Sequence, residues 1–80
     1  MKTYTVTYFG LLSERRGVSE EQVTSNAGTP SELYRELDAT YQLGLTLENF
    51  RVAVNDEFAA WNHPLAAGDR IALLPPMSGG

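Results

Sequence analysis

The 80-residue chain contains no cysteine, a single histidine (His63) and a single lysine (Lys2). Without cysteine there can be no disulfide framework, thiolate metal site, iron–sulfur cluster, redox dithiol or thiol nucleophile. Any sulfur chemistry must therefore run through the main chain. His63 stands in a turn before Pro64, with no second histidine to share a metal and no positioned partner for acid–base work. No apolar run approaches the roughly 18 residues of a membrane span, and residues 1–20 lack the apolar stretch of a secretory signal, so a cytoplasmic location without membrane contact is expected. Six basic residues face ten acidic ones, for a net charge of −4. That balance opposes attraction to phosphate backbones, and no nucleic-acid partner is expected. The acidic residues are dispersed, and Gly10, Gly17, Gly28, Gly44 and Gly68 each stand alone at a turn, so no phosphate-cradling loop is formed. No metal site and no active site is visible within the chain.

What is present is a small domain with 42% hydrophobic residues, a size at which about 60–65% of the unfolded surface is buried on folding. Lys2 to Phe9 alternates, with Tyr4, Val6 and Tyr8 on one face and Thr3, Thr5, Thr7 and Phe9 on the other, the period of a half-buried strand. Leu11 to Arg16 reads as a short helical turn closed by Gly17, with Arg15-Arg16 a solvated pair. Glu20 to Asn26, anchored by Val23, is expected to be an edge strand in a hairpin with the first. Thr29-Pro30-Ser31-Glu32 carries threonine at N-cap, proline at N1 and glutamate at N3, a capping box that opens a helix. Leu33, Leu37 and Tyr41, with Tyr34 beside them, form its apolar stripe, and Gly44 is expected to end it.

Leu45, Leu47 and Phe50 should plug one end of the core, and Arg51 to Asn55 alternates again. Asn55-Asp56 predicts a tight turn into a strand over Glu57 to Trp61, and Gly68-Asp69 a turn into a last strand over Arg70 to Leu74. Placing the first and last strands side by side and parallel, with the helix in the crossover, gives an α+β fold of the β-grasp type: a mixed sheet of four to five strands on one main helix. Residues 1–74 make the domain and residues 75–80 an extended tail.

That tail, Pro75-Pro76-Met77-Ser78-Gly79-Gly80, is the candidate functional element. Two prolines remove two amide donors and hold the backbone near polyproline II, so the strand ladder must end and the chain must leave the sheet stiffly. Gly79 and Gly80 carry no Cβ and fit a passage too narrow for side chains. Fully extended, the tail reaches roughly 20 Å, enough to enter another protein's active site. Strand parity adds a surface: Phe9 and Leu74 are apolar yet outward at the end of the sheet where the tail emerges, and Phe58 extends the patch.

The first strand ending Tyr8-Phe9, the segment Arg51-Val52-Ala53-Val54-Asn55, His63-Pro64-Leu65 followed by Gly68-Asp69, and the Pro-Pro…Gly-Gly tail together resemble the small subunit of molybdopterin synthase, the MoaD family. The resemblance spans the domain. It implies a ubiquitin-like sulfur carrier whose last glycine, here Gly80, is adenylated by an E1-like adenylyltransferase and converted to a thiocarboxylate. It also implies a large synthase subunit as partner in a hetero-oligomer, of heterotetramer type, with sulfur passing to cyclic pyranopterin monophosphate and Phe9, Phe58 and Leu74 as partner contacts. On that pattern the chain binds no cofactor, ATP is consumed by the activating enzyme, and the catalytic groups belong to the large subunit. Other readings stay open: a carrier for thiamine or another thio-compound pathway, a ubiquitin-like protein modifier, or a plain interaction module.

Overall fold

The computed structural model describes residues 1–75. The alternation at the start becomes β1 (Lys2–Tyr8), whose Tyr4, Val6 and Tyr8 are fully buried while the threonines between them lie on the wetter face. A short helix, α1 (Leu11–Arg16), follows and is closed by Gly17 in the left-handed conformation, its N–H donating to the Ser13 carbonyl. The chain then returns as β2 (Glu20–Ser25), antiparallel to β1, with Lys2 opposite Ser25 and Thr7 opposite Glu20. The expected hairpin is thus present, with α1 as its connection.

α2 (Pro30–Tyr41) begins where the capping pattern places it. Thr29 Oγ1 accepts from the Glu32 N–H at 3.3 Å, but the Glu32 carboxylate reaches back to the N–H of Gly28, at 2.7 Å, one residue before the cap. Its inner face buries Pro30, Leu33, Tyr34 and Leu37. The far end differs from expectation. Gln42, not Gly44, terminates the helix in the left-handed region (φ 54°), its N–H donating to Asp38 O at 2.7 Å. Gly44 lies beyond, where its N–H donates to the Asp38 carboxylate at 2.8 Å. The early reversal drops Leu43 wholly into the core, a position that helical periodicity does not flag.

A single 3-10 turn (Leu47–Asn49) leads to β3 (Arg51–Val54) and β4 (Glu57–Ala59), joined through Asn55 and Asp56, both at positive φ as a tight mirror-image turn requires. β4 is shorter than the expected Glu57–Trp61. Trp61 turns inward instead, its ring edge-on to Phe50 at 4.9 Å between centroids, with Tyr34 tilted against Phe50 at 4.6 Å. The half-buried indole packs against the core in place of extending the edge strand. β5 (Arg70–Leu74) closes the sheet, whose order is β2-β1-β5-β3-β4. β1 and β5 run parallel, with Thr5 opposite Arg70 and Tyr8 opposite Leu73, while β3 pairs antiparallel with both β4 and β5. Tyr4, Val6, Tyr8, Val52, Ile71 and Leu73 form one buried layer with the inner face of α2. This is the β-grasp architecture expected from the sequence. Among the described residues no helix is long and apolar enough to cross a membrane.

Candidate functional site

The end of the sheet from which residue 75 departs is built by four strands. Opposed residues in a ladder share a face, and alternate residues along a strand do too. Thr7 opposes Ala72, so Phe9, two residues on, projects from the face that carries Ala72 and Leu74. Arg51 opposes Leu74, and Phe58 opposes Ala53, so both join the same face from β3 and β4. Side chains from four strands therefore converge where the tail begins. Phe9, Arg51, Phe58, Leu74 and Pro75 line one concavity of about 280 Å³, nearly all of it apolar surface. Phe58 is 71% exposed and Phe9 43%, unusual for rings of this size.

The backbone fixes the place where the tail departs. The Phe9 N–H donates to Leu73 O at 3.2 Å. Gly10 follows at φ 58°, and its backbone runs so close to Pro75 that an added Cβ would lie 3.1 Å from the Pro75 Cγ. The first residue of the tail is thus packed on the β1–α1 turn. Pro76, Met77, Ser78, Gly79 and Gly80, the remainder of the candidate tail, lie outside the described residues.

The turn is braced from behind. Arg16 meets Glu21 in a two-pronged pair at 2.6 and 2.8 Å, Tyr8 donates to the same carboxylate at 2.6 Å, and the Arg16 guanidinium lies 3.7 Å above the Tyr41 ring. Arg15 donates to Leu43 O at 2.6 Å. The expected solvated arginine pair is therefore a structural clamp, because both side chains reach hydrogen-bond partners that sequence distance hides. The Arg16 hydrogen bonds hold the Glu21 carboxyl below its usual range, while burial and the adjacent Glu21 carboxylate push the Tyr8 phenol up. At the other end of β5, the Ala66 N–H and Asn55 side chain hold the Asp69 carboxyl low. These groups stabilise the scaffold and do not face the concavity.

His63 is exposed after β4, and its ring makes no hydrogen bond among the described residues. Nor do the described residues contain any group of acidic and histidine side chains able to hold a metal. Of the expected partner contacts, Phe9, Phe58 and Leu74 are brought together with Pro75. Arg51 shares their concavity and was not singled out by the sequence. The signal existed, since Arg51 and Ala53 alternate with the core residues Val52 and Val54, but the pairing with Leu74 was needed to give it meaning.

The ThiS family model matches residues 6–80. The molybdopterin synthase sulfur carrier subunit of Escherichia coli is 31% identical over 78 residues, which is 94% of this chain and 96% of that protein. SAMP1 of Haloferax volcanii, a small archaeal modifier protein, superposes with a TM-score of 0.79 at 27% identity, covering 98% of this chain and 99% of that one. A chain in the complex of subunits 1 and 2 of the molybdopterin-converting factor from Helicobacter pylori is 30% identical, with a TM-score of 0.67 and coverage of 98% and 99%.

Proposed function

The chain belongs to the ThiS family, and on that premise we propose that this ubiquitin-like sulfur carrier is the small subunit of a molybdopterin synthase. Gly80 is the group that is adenylated and converted to a thiocarboxylate, and the sulfur passes to cyclic pyranopterin monophosphate. The observation that carries the reading is the apolar concavity of Phe9, Phe58, Leu74 and Pro75 at the root of the tail. It belongs to a domain without a cysteine. The similarity to the Escherichia coli carrier over nearly the full length supports the pathway.

The chemistry follows from the ionisation of a terminal carboxyl, whose pKa is about 3.5. At neutral pH it is an anion that resists nucleophiles. An E1-like partner must therefore let the carboxylate attack the α-phosphate of ATP, releasing pyrophosphate and leaving an acyl adenylate. A sulfide-equivalent nucleophile then displaces AMP. The resulting thiocarboxylate is a soft nucleophile on a covalent arm, so its high effective concentration at the bound substrate replaces diffusional delivery of sulfide. ATP is used by the partner, this chain binds no cofactor, and the catalytic groups sit on the large subunit.

The Helicobacter pylori relative is described in complex with a second subunit, which supports a large-subunit partner and a hetero-oligomer here. A cytoplasmic setting fits the need for ATP and reduced sulfur. The test is intact mass after co-expression with the E1-like activator. Exchange of one oxygen for sulfur at Gly80 is expected; an unchanged carboxylate under conditions that modify a known carrier would overturn the reading.

A second reading rests on the likeness to SAMP1: Gly80 forms isopeptides with lysines of other proteins. High-mass conjugates that depend on Gly80 would establish it. A thiamine-type carrier, also compatible with the family match, would be captured with a thiazole synthase in place of a pterin-binding subunit.

A further inference from the structure

The concavity at the tail root contains one charge. Arg51 opposes Leu74 across the β3–β5 ladder and lines the hollow together with Phe9, Phe58 and Pro75. Because the lining is nearly all apolar, its aliphatic stem supplies wall while the guanidinium stays in water. Among the described residues that guanidinium makes no hydrogen bond, and the one ion pair is Arg16 with Glu21. Glu48 lines the neighbouring hollow alongside Arg51, Phe50 and Trp61, yet no ion pair joins the two. Arg15 caps Leu43 and Arg16 clamps Glu21, whereas the side chains of Arg35, Arg51 and Arg70 make no hydrogen bond or ion pair among the described residues, and of these three only Arg51 lines the concavity.

A partner that covers Phe58 and Leu74 takes the guanidinium out of water. Five donors left unpaired in a dry interface cost more than the apolar contacts beside them return. The partner must therefore answer the charge, and a carboxylate matches the guanidinium fork with two parallel bonds. We propose that Arg51 is a specificity-determining residue whose guanidinium pairs with an aspartate or glutamate of the large synthase subunit when that subunit covers the Phe9–Phe58–Leu74 concavity. The inference rests on the docking reading above and adds the chemistry of the surface that must meet it. The carrier is an acidic protein of net charge −4, so a carboxylate on the partner is disfavoured everywhere except opposite a cation such as this one.

The test uses the full-length chain and the large subunit from the same organism. Dissociation constants are measured by calorimetry at low and physiological salt for Arg51→Met, which keeps the stem, Arg51→Lys, Arg51→Glu and Phe58→Asp, each with a melting curve to verify folding. Arg51→Met should weaken binding about tenfold or more and flatten its salt dependence. Arg51→Lys should recover part of the loss and Arg51→Glu should bind least. One Asp→Lys or Glu→Lys change in the large subunit should restore affinity to Arg51→Glu. Unchanged or tighter binding by Arg51→Met overturns the proposal, as does unchanged binding with a raised KM for the phosphorylated pterin, which would assign the arginine to substrate. If Phe58→Asp also binds normally, the docking reading itself fails; if Phe58→Asp abolishes binding while Arg51→Met does not, only the carboxylate pairing is lost.

Discussion

The Phe9 N–H donates to the carbonyl of Leu73 at 3.2 Å, adding a rung to the parallel ladder one residue beyond β1. The bond ties the exposed Phe9 ring to the strand that delivers Leu74, so the two apolar contacts cannot drift apart without breaking a ladder at the centre of the sheet. Parallel strands of this kind hold their spacing through the backbone alone. The proposed partner surface is consequently presented by rigid elements, and residue 75 leaves from a fixed point.

Binding and stability should separate at this surface. Phe58 is 71% exposed on a three-residue edge strand, so Phe58→Asp should change unfolding free energy by no more than about 0.5 kcal/mol. Its affinity for the large subunit should fall by about 2 kcal/mol or more, as for an aromatic anchor at an interface centre. Urea denaturation beside calorimetric titration reads both quantities.

The Arg16–Glu21–Tyr8 cluster predicts a pH dependence at both ends of the range. Glu21 and Asp69 titrate below their unfolded values. The stability they contribute is complete above about pH 4.5 and is lost as pH falls through their lowered folded pKa values. Tyr4, Tyr8 and Tyr34 are raised above their ordinary values, chiefly by burial. Their contribution is intact below about pH 10 and declines as pH rises further. Glu21→Gln should cost about 1–2 kcal/mol at pH 7, since the pair is partly exposed and screened, and should flatten the acid limb. Unfolding free energy measured across pH checks both signs.

Tyr4 is wholly buried and donates to the carbonyl of Ala27 at 2.6 Å. Tyr4→Phe keeps the ring and strands that carbonyl, at a cost of about 1–3 kcal/mol. A loss well below 1 kcal/mol in chemical denaturation would mean that water reaches Ala27 in the variant.

Much of this architecture was legible because it is written in short-range patterns. Alternation exposes the inner face of β1, β3 and β5, and Thr29-Pro30-Ser31-Glu32 marks the start of α2 within a residue. Phe9, Phe58 and Leu74 could be assembled into a patch because parity and strand order sufficed. Arg51 could not, since its meaning depends on opposing Leu74 across a pairing between strands far apart in sequence. The Arg16 clamp was equally hidden: an arginine in a turn reads as solvated unless the fold brings Glu21 and the Tyr41 ring beneath it. β4 stops at Ala59 rather than Trp61 because Ala60 favours a strand little and the Trp61 indole packs against Phe50 instead.

The end of α2 yields the sharpest pair of expected outcomes, because two substitutions two residues apart should have opposite signs. Gln42 holds φ 54°, a region in which a Cβ is strained, and its side chain makes no hydrogen bond among the described residues. Gln42→Gly keeps the N–H bond to Asp38 O and relieves the strain, so a gain of about 0.5–1 kcal/mol is expected after the added unfolded-state entropy is counted. Gly44 holds φ 80°, and a Cβ there would lie 2.7 Å from the Arg15 Nη1 that donates to Leu43 O. Gly44→Ala therefore combines backbone strain with displacement of Arg15, and should cost about 1–2 kcal/mol. Equilibrium denaturation of Gln42→Gly decides where the helix ends: a loss of about 1 kcal/mol, the cost of glycine inside a helix, would put the end at Gly44, whereas Gly44→Ala is destabilising on either account.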